Sequence, residues 1–161
     1  MDVSVYALIS SRGEMTFVHE AELAFLLISL TLWMQCLGIA ALIIWLRRTL
    51  DGDIHRLGPF RSAIVFVRLT TRVIALHGLL ILLWASCYRW LCLPSWESAL
   101  YFSATSYSTV GYGDVVLPAN WRMLGPLESM IGVLMCGISV SLVFAMVTRL
   151  VSQDTRVDSR N

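Results

Sequence analysis

Apolar positions in this chain gather into three long runs. The first extends from about Ala21 to Leu46 and carries no charge after Glu22. The second extends from about Val73 to Leu93, with His77 inside it and Arg89 near its far end. The third extends from about Leu124 to Leu150, with Glu128 inside it. Each suits a bilayer, which a helix of roughly 20 apolar residues crosses. Aromatic residues mark the ends. Trp45 adjoins Arg47-Arg48, and Trp84, Tyr88, Trp90 and Trp96 crowd the end of the second run, as an interfacial belt does. Arg89 is placed to snorkel to that interface.

The connection between the second and third runs, residues 94–123, is oddly apolar for a loop. Pro94-Ser95-Trp96-Glu97 reads as a helix start, with Ser95 as N-cap and Glu97 in the first turn. The spacing predicts a short helix over 95–108. Its Leu100, Tyr101, Phe102 and Tyr107 are too apolar for a solvated loop, and it is too short to span. It is therefore expected to enter the membrane and return, which is tolerated only where protein or a water-filled cavity surrounds it.

Composition agrees. The chain has 161 residues, 57% hydrophobic and 14% charged, more apolar mass than a soluble fold of this size can bury. The net charge of +1 gives no general attraction to nucleic acid. All basic residues are arginines, and their placement is uneven. Arg47, Arg48, Arg56, Arg61, Arg68 and Arg72 separate the first two runs, and Arg149, Arg156 and Arg160 end the chain. The positive-inside bias puts residues 47–72 and the C-terminus in the cytoplasm, and the N-terminus and residues 94–123 outside. Residues 53–72 are expected to form a helix on the cytoplasmic face, with Arg61, Arg68 and Arg72 toward headgroups. A voltage-sensing helix is disfavoured, because these arginines do not recur every third residue across an apolar span. Asp2 and Glu14, with the late first run, argue against a secretory leader. Cys36, Cys87, Cys92 and Cys136 match no zinc spacing and are read as structural.

Thr109-Val110-Gly111-Tyr112-Gly113-Asp114 directly follows the short helix. The stretch Ala99–Asp114 resembles the pore helix and selectivity filter of the potassium channel superfamily. Cys136-Gly137-Ile138-Ser139 resembles its inner-helix hinge region, and His77, Trp84-Ala85 and Tyr88 are similar to the pattern of small bacterial channels with one pore domain and an extra helix in front. The likeness covers roughly residues 70–150. It implies an all-α membrane protein of three transmembrane helices plus a re-entrant pore helix and filter, assembled as a homotetramer in a bacterial inner membrane. The implied division is an extracellular N-terminus (1–20), a first span (21–46), a basic cytoplasmic linker (47–72), a pore domain (73–150) and a short cytoplasmic tail (151–161). Within the pore domain lie an outer helix (73–93), pore helix (95–108), filter (109–114) and inner helix (122–150).

The resemblance further implies passive potassium conduction, with no catalytic residue and no cofactor beyond the permeant ion. Carbonyls of Thr109, Val110, Gly111 and Tyr112 would replace the ion's hydration shell. That requires alternating backbone handedness, which Gly111 and Gly113 adopt without a Cβ penalty. Tyr101, Phe102 and Thr105 are expected to support the filter, with Tyr112 against the first two. Asp114 would sit at the outer mouth. Some relatives carry a pore-helix glutamate that pairs with this aspartate, and Thr105 holds that position here, so Asp114 is expected to lack the partner. Gly137 is either a hinge or a small residue for close helix contact, whereas Gly132 is read as packing. Ile138, Ser141 and Ala145 share a helical face that could line a cavity. Glu128 is read as a carboxylate hydrogen-bonded behind the filter, and His77 as a helix-to-helix hydrogen bond. His19 and His55 are read as solvated. A weakly selective cation channel, a transporter subunit and a non-conducting regulatory subunit are the alternatives; one intact filter repeat disfavours the transporter.

Overall fold

A computed structural model describes the backbone of residues 3–50 and 59–158, and the side chains of residues 18–49 and 60–148. Every element among the described residues is helical. Helix α1 is Val3–Leu50, α2 is Pro59–Leu91, α3 is Trp96–Tyr107 and α4 is Leu124–Asp158, with one 3-10 turn, Ala119–Trp121, before α4. Val18–Thr49, Phe60–Leu91 and Ala119–Thr148 are each long and apolar enough to cross a membrane. The chain is a multi-pass integral membrane protein.

The helices overrun the sequence-based bounds. Helix α1 begins within the stretch expected as an N-terminal segment, and α4 extends into the expected tail. Among the described residues of 53–72, those from Pro59 onward are the first turns of α2 and not a separate helix, and residues 53–58 lie outside the described residues. Proline is well placed there, since its missing N–H costs nothing in a first turn. No glycine or proline interrupts α2 before Gly78, and the Thr70 and Thr71 hydroxyls turn back onto the Phe66 and Val67 carbonyls. Asp51-Gly52-Asp53, His55 and Arg56 lie outside the described residues.

The chain divides into two compact units. One comprises the described residues of Met1–Trp33 with Leu80–Val133. Its core holds Leu80, Trp84, Ala85, Tyr88, Ala99 and Leu124. The Trp84 indole N–H donates to the Thr31 hydroxyl at 3.0 Å, and that hydroxyl donates to the Leu27 carbonyl at 2.7 Å. The Met123 N–H, just ahead of α4, donates to the buried Glu20 carboxylate of α1 at 2.8 Å. One of the N–H groups that a helix start leaves unpaired is thereby satisfied, and a negative charge meets the positive end of the dipole.

The second unit comprises Met34–Leu79 with the described residues of Leu134–Asn161. Leu42, Leu46, Val65, Leu69, Val73, Leu76 and Met146 form its core. Leu76 lies so close to Gly38 that a Cβ there would come within 2.6 Å of it. Polar groups from three helices converge on buried Ser139: Gln35 Nε2 donates to its hydroxyl at 2.9 Å, and His77 Nε2 lies 3.0 Å from it. The His77 bond is the helix-to-helix contact expected of it. Gln35 also donates to the Met135 carbonyl at 3.2 Å.

Thr31→Val should leave the Trp84 N–H unpaired in an apolar interior. Such intramembrane bonds contribute about 1 kcal/mol, so a lowered unfolding midpoint in detergent is expected. An unchanged midpoint would mean the bond contributes nothing.

Candidate functional site

The site is built on α3, a helix of only 12 residues. Ser95 caps its start: the Ser98 N–H donates to the Ser95 hydroxyl at 3.1 Å, and Glu97 occupies the first turn. Ser108 ends it. The chain beyond is pinned by carbonyls of the last turn. Thr109 N–H donates to the Ser106 carbonyl at 2.9 Å. Val110 and Gly111 N–H groups both donate to the Thr105 carbonyl, at 2.9 and 3.1 Å.

Backbone handedness then alternates. Thr109, Gly111 and Gly113 have φ of 62°, 53° and 80°, while Val110 and Tyr112 between them do not enter that region. Glycine takes this conformation freely. Thr109 does not, because a β-branched residue there is a strained outlier. Neither its residue type nor its neighbours announce this strain. The bonds to Ser106 and Thr105 on either side of it hold the residue in place.

The expected supporting residues divide their work. The Tyr101 and Tyr112 rings stack, with centroids 6.5 Å apart and planes 15° from parallel. The Tyr101 hydroxyl donates to Asp114 Oδ2 at 2.7 Å. Position 105 gives Asp114 no partner, as expected, since the Thr105 hydroxyl bonds elsewhere; the donor on the short helix is Tyr101. The bond holds the Tyr101 phenol above the ordinary tyrosine range, with smaller contributions from desolvation and the carboxylate's charge. Asp114 Oδ1 accepts the Val115 N–H at 3.1 Å. Phe102 meets Tyr88 edge-on at 5.0 Å rather than Tyr112. Thr105 acts through its carbonyl, while its hydroxyl returns to the Phe102 carbonyl.

Behind α3, Glu128 is fully buried. Its Oε2 accepts the Tyr88 hydroxyl at 2.8 Å, and its Oε1 lies 2.5 Å from the Ser103 hydroxyl. Ser103 also lies within 2.9 Å of the Ile81 carbonyl. A serine hydroxyl has one proton to donate, and two acceptors compete for it here. The Ser103 proton is shared between the Glu128 carboxyl and the Ile81 carbonyl. Sequence reading placed a hydrogen-bonded carboxyl here, but no periodicity names partners 25 and 40 residues away. Two further contacts hold the end of α3 to α4. Ser129 donates to the Ser106 carbonyl at 2.7 Å. A Cβ at Gly132 would stand 2.3 Å from the Tyr107 carbonyl oxygen, so only glycine fits.

Gly137, Ile138, Ser141 and Ala145 lie on α4 in the second unit, all exposed. A Cβ at Gly137 would meet nothing within 4 Å, and α4 runs through it unbroken. The Ser141 hydroxyl donates to the Ile138 carbonyl at 2.7 Å. The four cysteines are free thiols.

Residues 62–149 match a family model described as ion channel. That span begins in α2, includes α3 and ends in α4. No curated protein and no solved structure matches the chain.

Substitutions at two positions test the support. Glu128→Gln can accept from Tyr88 and donate to Ser103, so it should unfold within about 1 kcal/mol of the parent. Glu128→Ala should cost about 2–4 kcal/mol, through a cavity and two unpaired hydroxyls. Equal losses in thermal unfolding would show that these two hydrogen bonds do not stabilise the site. Gly132→Ala should lower the unfolding midpoint by forcing α3 from α4, a cost of about 1–3 kcal/mol; a neutral effect would show that the close approach is absent.

Proposed function

This chain belongs to the ion channel family, and from that premise we propose that it is a potassium-selective channel subunit conducting passively as a homotetramer. The single observation that carries this reading is the alternation of handedness at Thr109, Gly111 and Gly113. A strand with every second residue left-handed can turn successive carbonyls the same way. Four such strands around an axis would offer potassium a cage of oxygens from Thr109, Val110, Gly111 and Tyr112, replacing its water.

One chain supplies one strand, so the ring is closed by symmetry. Val110 is 51% and Tyr112 72% exposed in the isolated chain, which is the exposure expected of side chains that neighbouring copies cover. In this reading α3 is the re-entrant pore helix, and its C-terminal end places the negative pole of its dipole beneath the strand, where a cation is favoured. Asp114 stands at the outer mouth and attracts cations. The Tyr101 bond orients that carboxylate and, through the ring stack, steadies Tyr112. The arginine distribution puts this mouth outside and the C-terminus in the cytoplasm, in the inner membrane of a bacterium. Ile138, Ser141 and Ala145 would line an ion cavity, with Gly137 the candidate hinge.

The purified chain in vesicles should carry potassium and exclude sodium. Gly111→Ala places a Cβ at φ 53°, a conformation costing about 1 kcal/mol or more per residue. Potassium flux should vanish while the tetramer survives crosslinking. Undiminished flux in that variant would show that the strand is not the filter. Tyr101→Phe keeps the ring stack and removes the donor to Asp114. It should assemble normally and lose current faster during sustained opening. Identical current decay would remove Tyr101 from the support of the mouth.

A further inference from the structure

An apolar groove of about 340 Å³ runs between α1 and α2 within the second unit. Small residues open it: Gly38 and Ala41 on α1, and Ala75 on α2. Leu79 lines it farther along α2, and Trp45 and Arg72 form its other end. The Arg72 guanidinium lies 3.9 Å over the centre of the Trp45 ring, a cation–π arrangement. The same group donates to the Arg68 carbonyl at 3.1 Å, so its position is held from two sides.

Trp45 adjoins Arg47 and Arg48 at the end of the first span, which sets it at headgroup depth. The contact with Trp45 brings Arg72 to that same depth. The groove beyond them is therefore in hydrocarbon. Among the described side chains, charge at this end is one-sided. Among the side chains described in the second unit are Arg47, Arg48, Arg61, Arg68 and Arg72, and no carboxylate. None of these arginines forms an ion pair among the described residues. Arginine favours a planar two-point bond to phosphate oxygens, and basic sites between spans hold anionic headgroups.

We infer that this groove is a binding site for one anionic phospholipid of the leaflet on the arginine-rich side, with an acyl chain along Gly38, Ala41 and Ala75 and its phosphate on Arg72. The requirements match on both counts. An acyl chain needs a dry trench; Leu76 packs onto Gly38, and beside it Ala41 and Ala75 leave one between the helices. An anion needs a fixed cation at the mouth of that trench, and Trp45 and the Arg68 carbonyl fix Arg72 there. A zwitterionic lipid would satisfy the trench and leave the surplus positive charge without a counterpart. The inference goes beyond the channel reading. It rests on membrane insertion alone, and its test reads binding rather than current.

The test is native mass spectrometry of the purified full-length chain, offered palmitoyl-oleoyl phosphatidylglycerol or phosphatidylcholine in equal amounts. The parent should retain phosphatidylglycerol about fivefold better, the preference expected for one arginine near the headgroups. Arg72→Gln should bind the two lipids alike. Ala41→Leu with Ala75→Leu, both helix-compatible, should fill the trench and lose the lipid while leaving the unfolding midpoint in place. Inorganic phosphate should not displace the lipid. Equal retention of the two lipids by the parent would overturn the inference. So would an unchanged preference in Arg72→Gln, or displacement by phosphate, which would mark a site for a free anion. Failure of both lipids to bind, with the groove shielded from labelling in the assembly, would mean that protein covers it, and would also overturn it.

Discussion

The buried carboxyl of Glu128 is the contact on which the candidate site depends. It joins Tyr88 of α2 and Ser103 of α3 to α4, the helix that carries it. An isolated carboxylate in an apolar interior would cost far more than this fold could offset. The cluster avoids that cost by supplying one partner for each oxygen. The Ser103 hydroxyl also reaches the Ile81 carbonyl, which ties α3 to the backbone of α2. A helix as short as α3 would not hold its place by propensity alone. Its place comes from these bonds, from the Ser129 bond to its last turn, and from the glycine that lets α4 reach the Tyr107 carbonyl.

Everything beyond α3 inherits that placement. The strand from Thr109 to Gly113 has no ladder of its own. Its first three N–H groups go to carbonyls of Ser106 and Thr105. The left-handed threonine is unfavourable in isolation, and it persists because the chain is tied on both sides of it. At the far end Tyr101 plays the same part through its hydroxyl and its ring. The strand is thus held at both ends by one helix, and that helix is held from behind by Glu128.

Much of this was legible in the sequence, and what was not has physical reasons. Runs of apolar residues without breakers reveal spans, and Ser95, Glu97 and the dense aromatics reveal α3 to within a residue at each end. Gly111 and Gly113 reveal their own left-handed positions. Boundaries failed where arginines looked interfacial: α2 continues through Arg68, Thr70, Thr71 and Arg72 because nothing there breaks a helix. Pairings failed wherever they join residues far apart in sequence. Tyr101 with Asp114, and Glu128 with Tyr88 and Ser103, depend on how helices face one another, which composition does not encode. Thr105 shows a further limit. Its side chain drew attention through the resemblance, whereas its carbonyl does the holding.

The two units differ in the kind of contact that holds them, and the difference bears on function. In the first, directional bonds to Glu20, Glu128, Ser103 and Ser129 tie the helices to one another. Hydrogen bonds weaken steeply with angle and distance, so such a set resists sliding. In the second, the contacts are mostly leucine, valine and methionine, with polar bonds gathered on Ser139. Apolar contact is non-directional and tolerates small shifts at little cost. An ion path that must hold its width to select, and must also open and close, needs both kinds of material. Bonding of the first kind surrounds the strand that would select. Movement is then expected where contacts are of the second kind, along the stretch of α4 that carries Leu142, Val143 and Met146, beyond the bonds at Met135 and Ser139 that flank Gly137.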